Sequence, residues 1–436
     1  MNAKKLGRAL ALLALATGLA GCSGLLDVKQ PGLITEDKAG SPTLQASLVA
    51  AAAGDYHRAF NWMANSGAAL SDEGIFGHGW SPWEEYDNRN VTAAGGAWDG
   101  IGYAYMQSAK TTAARVVDLL GPGAEPDMRA QALNWDGFAA SMLADYLCSV
   151  PFNGKKDVSR DVAYDTAIGL LKQAAGISGA SADQVALANV GIARAYLNKG
   201  DFANANTYAA KVPATFEAFI RFIDADFGEW ATKYNLYART SGLKSPTEFS
   251  MGLDPSSEWG AGKRDLRVPF ESDSARLMFT SHAEPRRAFL PFTPYSFQGW
   301  TPGNKQMMQG GAGIRFASGL EAQYIMAEAS LNGGGSMSSA QVLAFINARR
   351  TVGGLAPFTG SDLKAELREQ RKMDFYWAGY RVPDLLRYKK LYNLDLFPTG
   401  NMGGFPAGVT YRYGTTTCLP IGQSEIANNP NIGSGG

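Results

Sequence analysis

Two segments of the chain concentrate side chains suited to a polar ligand with flat faces. The first combines carboxylates with aromatic rings, and its members are Asp72, Glu73, Trp80, Trp83 and Tyr86, with Trp98 close behind. The second segment contains Tyr295 and Trp300. Rings of this kind stack on the C–H faces of sugars, whose hydroxyls hydrogen-bond to carboxylates. We therefore predict that these eight residues line an oligosaccharide site.

Other roles for the same residues stay open. The rings could instead fill the gap between the first helices, because aromatic side chains often fix long loops to a scaffold. The second segment could also be a surface that contacts a partner protein. The adjacent acids Asp72-Glu73 and Glu84-Glu85 raise the alternative of a glycoside hydrolase. Hydrolysis needs two carboxyls about 5 to 9 Å apart, which neighbours on an irregular loop do not establish, so no enzyme is predicted.

The sequence predicts no cofactor and no metal. His57, His78 and His282 are scattered, and no cysteine has metal-ligand spacing. The acidic stretch 224–229 lacks the ligand series of a calcium loop. Cys148 and Cys418 could form a disulfide in an oxidising envelope compartment, or stay as two separate buried thiols.

The amino terminus predicts a lipid-anchored, exported protein. Lys4, Lys5 and Arg8 precede a 12-residue apolar run, 9–20, that is too short to span a membrane. The run ends at Leu19-Ala20-Gly21-Cys22, which is similar to a bacterial lipobox. We expect residues 1–21 to be a signal peptide, Cys22 to be the lipidation site and 22–41 to be the lipidated N-terminal segment, with several acyl chains holding the protein stably on a membrane.

Composition favours a folded domain that does not bind nucleic acid. The 436 residues are 45% hydrophobic and 18% charged, enough for a large core. Lys+Arg and Asp+Glu both number 40, and losing the three basic residues of the leader leaves 37 against 40, a net charge of −3. Binding to nucleic acid depends on clustered positive charge, which this chain lacks.

Periodicity predicts an all-α fold of stacked tetratricopeptide-like helix pairs with long irregular loops. The clearest pair starts at a candidate capping box, Ser181 with Gln184, turns at Gly200-Asp201 and stops before Pro213. Since one pair cannot bury its own face, others must stack on it, and 134–150 with 164–175 and a helix pair near 320–350 are candidates. A single domain, 42–436, is expected to contain a tetratricopeptide-like part, 42–212, and a loop-rich part, 213–436.

Four segments together resemble the SusD/RagB family of outer-membrane nutrient-binding lipoproteins. The segment 370–387 is similar to the family's Glu-Arg-x-x-Glu-Leu-x-x-Glu-Gly-x-Arg-x-x-Asp-Leu-x-Arg; it agrees at Arg371, Gly379, Arg381, Asp384, Leu385 and Arg387 and departs at Gln370, Asp374, Phe375 and Ala378. The segment 418–431 resembles the family's C-terminal Pro-Ile-Pro-x-x-Glu-Ile-x-x-Asn-Pro signature, and 321–329 its Glu-x-x-Leu-x-x-Ala-Glu-Ala helix. The lipobox is the fourth.

The resemblance implies a function without naming a site. Family members are not enzymes. They are anchored in the outer membrane and face the cell surface, where they capture oligosaccharides or, in some cases, peptides. They deliver these ligands to a SusC-like TonB-dependent transporter. A purely protein-binding tetratricopeptide-like scaffold is a further alternative. Helical spacing predicts that Arg371 pairs with Asp374 and that Arg381, Asp384 and Arg387 form further ion pairs. We interpret these five residues as a structural network.

Overall fold

The structure is a computed structural model that describes residues 41–76, 81–221, 251–252, 265, 267, 270–271, 277–279, 285–287, 290–291, 314–402, 408 and 410–432. The helices before residue 213 are α1 Pro42–Leu70, α2 Ser81–Asp87, a π-helical segment Trp98–Tyr103, α3 Ala104–Leu120, α4 Pro126–Tyr146, α5 Arg160–Ala175, α6 Ala182–Lys199 and α7 Phe202–Ala209. After residue 313 follow α8 Gly319–Leu331, α9 Ser339–Val352, α10 Leu363–Asp374, α11 Arg381–Tyr392 and α12 Gln423–Asn428.

Strands in the described residues are short and form two-stranded antiparallel pairs. The pairs are β1 Ile75–Phe76 with β5 Met251–Gly252, β2 Ser149–Val150 with β3 Val158–Ser159, β4 Glu217–Ile220 with β10 Ile314–Ser318, β6 Phe270–Glu271 with β9 Leu290–Pro291, and β7 Leu277–Phe279 with β8 Pro285–Arg287. Helices are therefore the main secondary structure of the described residues, and the predicted all-α fold class is confirmed. None of the helices in these ranges has both the length and the apolar character needed to cross a membrane.

Small residues let α6 and α7 approach each other and α8. Ala193 and Ala205 are fully buried, and they share one apolar cluster with Leu197, Ala322 and Ile325. The helix pair thus buries its face against α8, which is the stacking that an isolated pair requires.

The start of α6 differs in one detail from the predicted capping box. The Ser181 hydroxyl accepts from the Gln184 backbone N–H, but the Gln184 side chain accepts from Asn134 of α4 at 2.9 Å. Gln184 therefore joins two helices instead of returning to its own cap. The complete box is found at α9, between Ser338 and Gln341.

A helix interrupts the segment that its Gly and Pro content predicted to be a loop. Helix α2 places Pro82 at its second position and Glu84 in its first turn. Proline is tolerated there because its missing N–H has no intrahelical partner, and an acid in the first turn stabilises the positive end of the helix dipole.

A disulfide joins Cys148 to Cys418 across 270 residues of sequence, with their Cα atoms 5.0 Å apart. Of the two alternatives left open by the sequence, the structure has the bridged one. Leu147 and Leu419, next to the two cysteines, form an isolated parallel bridge. The C-terminal segment is thereby tied to the end of α4.

Candidate ligand-binding loop and its anchors

The sequence-predicted ligand residues divide into described and undescribed ones. Trp80, Tyr295 and Trp300 lie outside the described residues, and Trp83 lies within α2. Asp72, Glu73, Tyr86 and Trp98 are described: Asp72 and Glu73 lie at the start of the segment 71–103, Tyr86 in its middle and Trp98 near its end. We call residues 71–103 the aromatic loop.

Tyr86 and Trp98 are anchors of the aromatic loop. Their exposed fractions are 0% and 1%. The Tyr86 hydroxyl donates to the carbonyl of Ala97 at 3.4 Å, and Trp98 Nε1 donates to the carbonyl of Pro420 at 2.9 Å. Neither ring presents a face to a ligand, which corrects the prediction that they contact sugar. Burial of these large rings instead stabilises the loop.

The Asp72 side chain is also bound to a residue of the scaffold. Its carboxylate accepts from Arg381 Nε at 2.6 Å and Nη2 at 2.8 Å, a bidentate pair in which the Arg381 side chain is 8% exposed and that of Asp72 25%. Burial favours the neutral acid, but the positive charges of Arg381 and Lys372 outweigh it and lower the pKa of Asp72 to about 2. The carboxylate is therefore held charged and oriented toward α11.

Glu73 lies deeper, with 2% exposure. Its Oε1 accepts from the backbone N–H of Trp377 at 3.1 Å, and its own backbone carbonyl accepts from the Tyr376 hydroxyl at 2.9 Å. Burial raises the pKa of Glu73 to about 8, although the charge of Arg381 acts in the opposite direction. A neutral, buried acid cannot clamp a sugar hydroxyl at the surface, so the ligand role predicted for Glu73 is corrected as well.

Trp377 is the residue beneath the loop that sequence reasoning missed. Its indole Nε1 donates to Asn65 Oδ1 at 3.1 Å, and its ring lies so close to Gly74 that a Cβ there would be 2.4 Å from Cη2. Trp377 has a positive φ of 59°, a conformation that costs a non-glycine residue about 1 kcal/mol. The one available signal was its place between the motif residues Arg371 and Gly379.

The far end of the aromatic loop is tied to residues 414–424, which we call the C-terminal strap. Arg89, with a φ of 54°, donates from Nε to the carbonyl of Thr416 at 3.0 Å and from Nη1 to that of Pro398. The backbone N–H groups of Gly414 and Thr416 donate to the carbonyls of Asn88 and Arg89. The strap therefore holds the loop by direct backbone pairing.

Two further contacts extend this pairing beyond Thr416. The Gln423 backbone N–H donates to the Ala93 carbonyl at 2.8 Å. The Asp99 carboxylate accepts from both the backbone N–H and the hydroxyl of Ser424. The segment that resembles the family's C-terminal signature thus has a structural role against the loop.

The five motif residues predicted as ion pairs are all paired, but not all with the partners that spacing suggested. Asp384 accepts from Arg387 at i,i+3, as predicted, and also from Arg371 at 2.7 Å. Asp374 accepts from Arg349 Nε and Nη2, both at 2.7 Å, so the predicted pairing of Arg371 with Asp374 is wrong. Asp374 is the last residue of α10, where its side chain faces α9.

The network continues into the helix pairs. Arg387 donates to both carboxylate oxygens of Glu328, and Arg194 donates to both oxygens of Glu321 while its Nη2 also donates to the carbonyl of Phe316 at 2.5 Å. Buried charges of this kind need complete hydrogen bonding to be tolerated. Sequence reasoning missed Arg194, because its partner lies 127 residues away.

The described residues also form an open crevice of about 220 Å³ beside the disulfide. It is lined by Cys148, Ser159, Arg160, Asp161, Tyr164, Asn198, Pro383, Leu386, Arg387 and Lys390. Asp161 and Lys390 pair with each other at its rim, with a separation of 2.5 Å. No group of three or more His, Cys, Asp or Glu side chains suited to a metal ion occurs in the described part of the chain.

Comparison of the sequence with protein-family models and with curated proteins gives no match. Comparison of the three-dimensional structure with solved structures does find similar proteins. Surface glycan-binding protein A from Bacteroides thetaiotaomicron, solved with laminarihexaose, is 15% identical, with a TM-score of 0.65 over 89% of this chain and 98% of that one. A SusD superfamily protein from Bacteroides vulgatus is 15% identical, with a TM-score of 0.63 over 91% and 98%.

Surface glycan-binding protein A from Bacteroides uniformis is again 15% identical, with a TM-score of 0.62 over 90% of this chain and 98% of that one. The architecture is thus that of a helical-repeat protein whose long loops are carried on one scaffold. Specifically, the chain has the fold of the SusD superfamily, as its sequence motifs predicted.

Proposed function

We propose that this chain is a non-enzymatic, surface-exposed outer-membrane lipoprotein that binds nutrient oligosaccharides and delivers them to a SusC-like TonB-dependent transporter. The observation that carries the proposal is the shared fold with a surface glycan-binding protein solved in complex with laminarihexaose. At 15% identity the binding property does not transfer by itself. The aromatic side chains in the chain's own loops are the second observation that supports sugar binding.

The anchoring of the aromatic loop supports this function. Asp72 and Glu73 fix one end of the loop to α11 and to Trp377, and Arg89 and Trp98 fix the other end to residues of the C-terminal part. A binding site held on a rigid scaffold loses less conformational entropy when the ligand binds. Of the predicted sugar-contacting residues, Trp80, Trp83, Tyr295 and Trp300 remain as the proposed ligand set.

The direct test is isothermal titration with a panel of oligosaccharides that includes β-1,3-glucans. We expect Trp83→Ala to weaken binding about tenfold or more, since one stacking ring contributes on the order of 1 to 2 kcal/mol. Tyr208→Ala is the matched control, because Tyr208 is a partly buried ring on α7, stacked on Tyr196 and remote in sequence from the loop. Equal affinity of wild type and Trp83→Ala would remove Trp83 from the site.

Peptide import is the alternative that the same architecture allows. Titration with a peptide mixture forms the second arm of the experiment, and binding of peptides with no binding of glycans would replace sugar by peptide in the proposal. A protein-binding scaffold would bind neither but would still co-purify with a transporter.

A hydrolase is disfavoured by where its candidate acids lie. Asp72 is paired with Arg381, Glu73 and Glu84 are buried, and Glu85 Oε2 accepts from the backbone N–H of Thr92 at 3.1 Å. All four carboxylates are thus held within the protein scaffold. Hydrolysis needs two carboxyl groups that face the scissile bond. Release of new reducing ends from a bound oligosaccharide would contradict the proposal that the protein is not an enzyme.

The lipid anchor has its own test. If Cys22 is acylated, globomycin should block processing of the precursor, and mass spectrometry of the mature protein should show an N-terminal peptide heavier by the mass of a diacylglyceryl group. An unmodified Cys22 would remove the anchor from the proposal and leave sugar binding untouched.

A further inference from the structure

The Cys148–Cys418 disulfide has one residue at the surface. Cys148 is exposed and lines the 220 Å³ crevice, whose other lining groups include Arg160 and Lys390. A small molecule in the crevice would therefore contact Cys148.

The disulfide lies midway along the C-terminal strap. Gly414 and Thr416 pair with the aromatic loop on one side of Cys418, and Pro420, Gln423 and Ser424 contact it on the other side. The strap is hydrogen-bonded to the end of α4 and the residue after it, where the Cys148 N–H donates to the Leu419 carbonyl at 3.0 Å and the Leu419 N–H to that of Tyr146 at 2.8 Å. The covalent bond stands beside these two hydrogen bonds.

The apolar packing of the strap consists of Leu419, which belongs to the core, and of Cys418 and Ile421, which are partly buried against it. Leu419 is 1% exposed, while Thr416, Pro420 and Ile421 keep part of their surface in contact with solvent. Segments with few buried apolar contacts open locally at low cost in free energy. Without the covalent link, the strap therefore depends on this limited apolar packing and on its hydrogen bonds to the loop and to Tyr146.

We propose that the Cys148–Cys418 bond is a redox-sensitive positioning element, which orders the aromatic loop through the C-terminal strap. A dithiol reductant attacks the sulfur of Cys148, the more exposed of the two cysteines, forms a mixed disulfide and releases the Cys418 thiolate. The second thiol of the reductant then resolves the mixed disulfide. Two electrons and two protons pass to the cysteines, and the reductant leaves as its cyclic disulfide. The freed strap separates from Tyr146, and the carbonyls of Asn88, Arg89 and Ala93 lose the strap N–H groups that donate to them.

Hydrogen exchange tests the proposal without any ligand. We compare the full chain, oxidised and after treatment with dithiothreitol, with Cys148→Ser/Cys418→Ser as the variant that cannot form the bond. We expect the strap amides of Gly414, Thr416 and Gln423, which donate to loop carbonyls, and the loop amide of Val91, which donates to Thr416 Oγ1, to exchange at least tenfold faster in the reduced protein and in the double variant, with amides of α6 unchanged. Dithiothreitol should have no effect on the double variant.

Two results would overturn the proposal. Equal exchange of the Gly414, Thr416, Gln423 and Val91 amides in both redox states would show that the strap holds without the bond. Acceleration of equal size in α6 and in the loop would show that the bond stabilises the whole domain instead of the loop.

The consequence for affinity rests on the proposed function. Reduction should weaken binding of an oligosaccharide identified by the titration panel at least fivefold, and reoxidation should restore it. If no oligosaccharide binds the oxidised protein, the proposed function fails while the exchange result still decides the role of the disulfide. Unchanged affinity together with faster exchange would overturn the link from loop order to binding.

Discussion

Asp72, at the start of the aromatic loop, and Arg381, at the start of α11, form a bidentate ion pair across 309 residues of sequence. The pair joins a loop that carries candidate ligand residues to the motif segment 370–387. Its oxygen–nitrogen distances are 2.6 and 2.8 Å. The loop is thus positioned by the residues that also order the C-terminal helices.

Breaking this pair on one side should destabilise the protein more than replacing both partners. We expect Arg381→Met to lower the free energy of unfolding by about 3 kcal/mol, because it leaves the Asp72 carboxylate partly buried without its partner. The double variant Asp72→Leu/Arg381→Met should recover part of that loss. Urea unfolding measures both, and equal losses in the single and double variants would contradict the assigned coupling.

The neighbouring acid Glu73 should make stability fall as pH rises. Its pKa in the folded protein, about 8, lies above the value near 4.3 expected for the unfolded chain. Folding therefore takes up a proton between these pH values, and the stabilising contribution present below about pH 4 is lost progressively up to about pH 8.

Glu73→Gln removes this dependence while keeping an acceptor for the Trp377 N–H. The variant should match wild type near pH 4 and be more stable by roughly 3 kcal/mol near pH 7, as measured by urea unfolding across that range. Parallel pH profiles for the two proteins would show that Glu73 is not held neutral.

Gly74 is required by the Trp377 ring. Gly74→Ala places a Cβ 2.4 Å from Cη2 of that ring, and overpacking of this kind costs about 1 to 3 kcal/mol. In a Trp377→Phe background the smaller ring should reduce the cost of Gly74→Ala by about 1 kcal/mol or more. The four proteins of this double-mutant cycle are compared by thermal unfolding, and additive losses would mean that the two positions do not touch.

The buried pair of Arg194 and Glu321 should matter far more than an exposed one. Glu321→Gln leaves the Arg194 guanidinium buried without its carboxylate, which we expect to cost about 3 kcal/mol. Asp395→Asn is the control, since its pair with Lys389 is 47% and 46% exposed and exposed pairs contribute about 0 to 1 kcal/mol. Similar losses in the two variants would argue against a special role for burial.

Local sequence patterns predicted the helices well and the ion pairs only in part. Ser181, Gly200 and Asp201 mark the ends of α6 and α7 because capping and turn formation depend on near neighbours. Asp374 shows the limit of such reasoning. Its neighbour at i−3 is Arg371, yet it pairs with Arg349 of another helix, since the direction in which a side chain leaves a helix end depends on what is packed there.

What the sequence determined by itself was the helical-repeat architecture, the resemblance to SusD-like proteins and the expectation of a lipid-anchored, sugar-binding role. These follow from patterns within short stretches: apolar periodicity, caps and motifs. The tertiary structure decided that Tyr86 and Trp98 are buried anchors, that Cys148 and Cys418 are joined and that Glu73 is held neutral. Tyr86 bonds to Ala97, 11 residues away, but the contacts of Trp98, of the two cysteines and of Glu73 join residues hundreds of positions apart, which meet only when the C-terminal segments dock on the first helices.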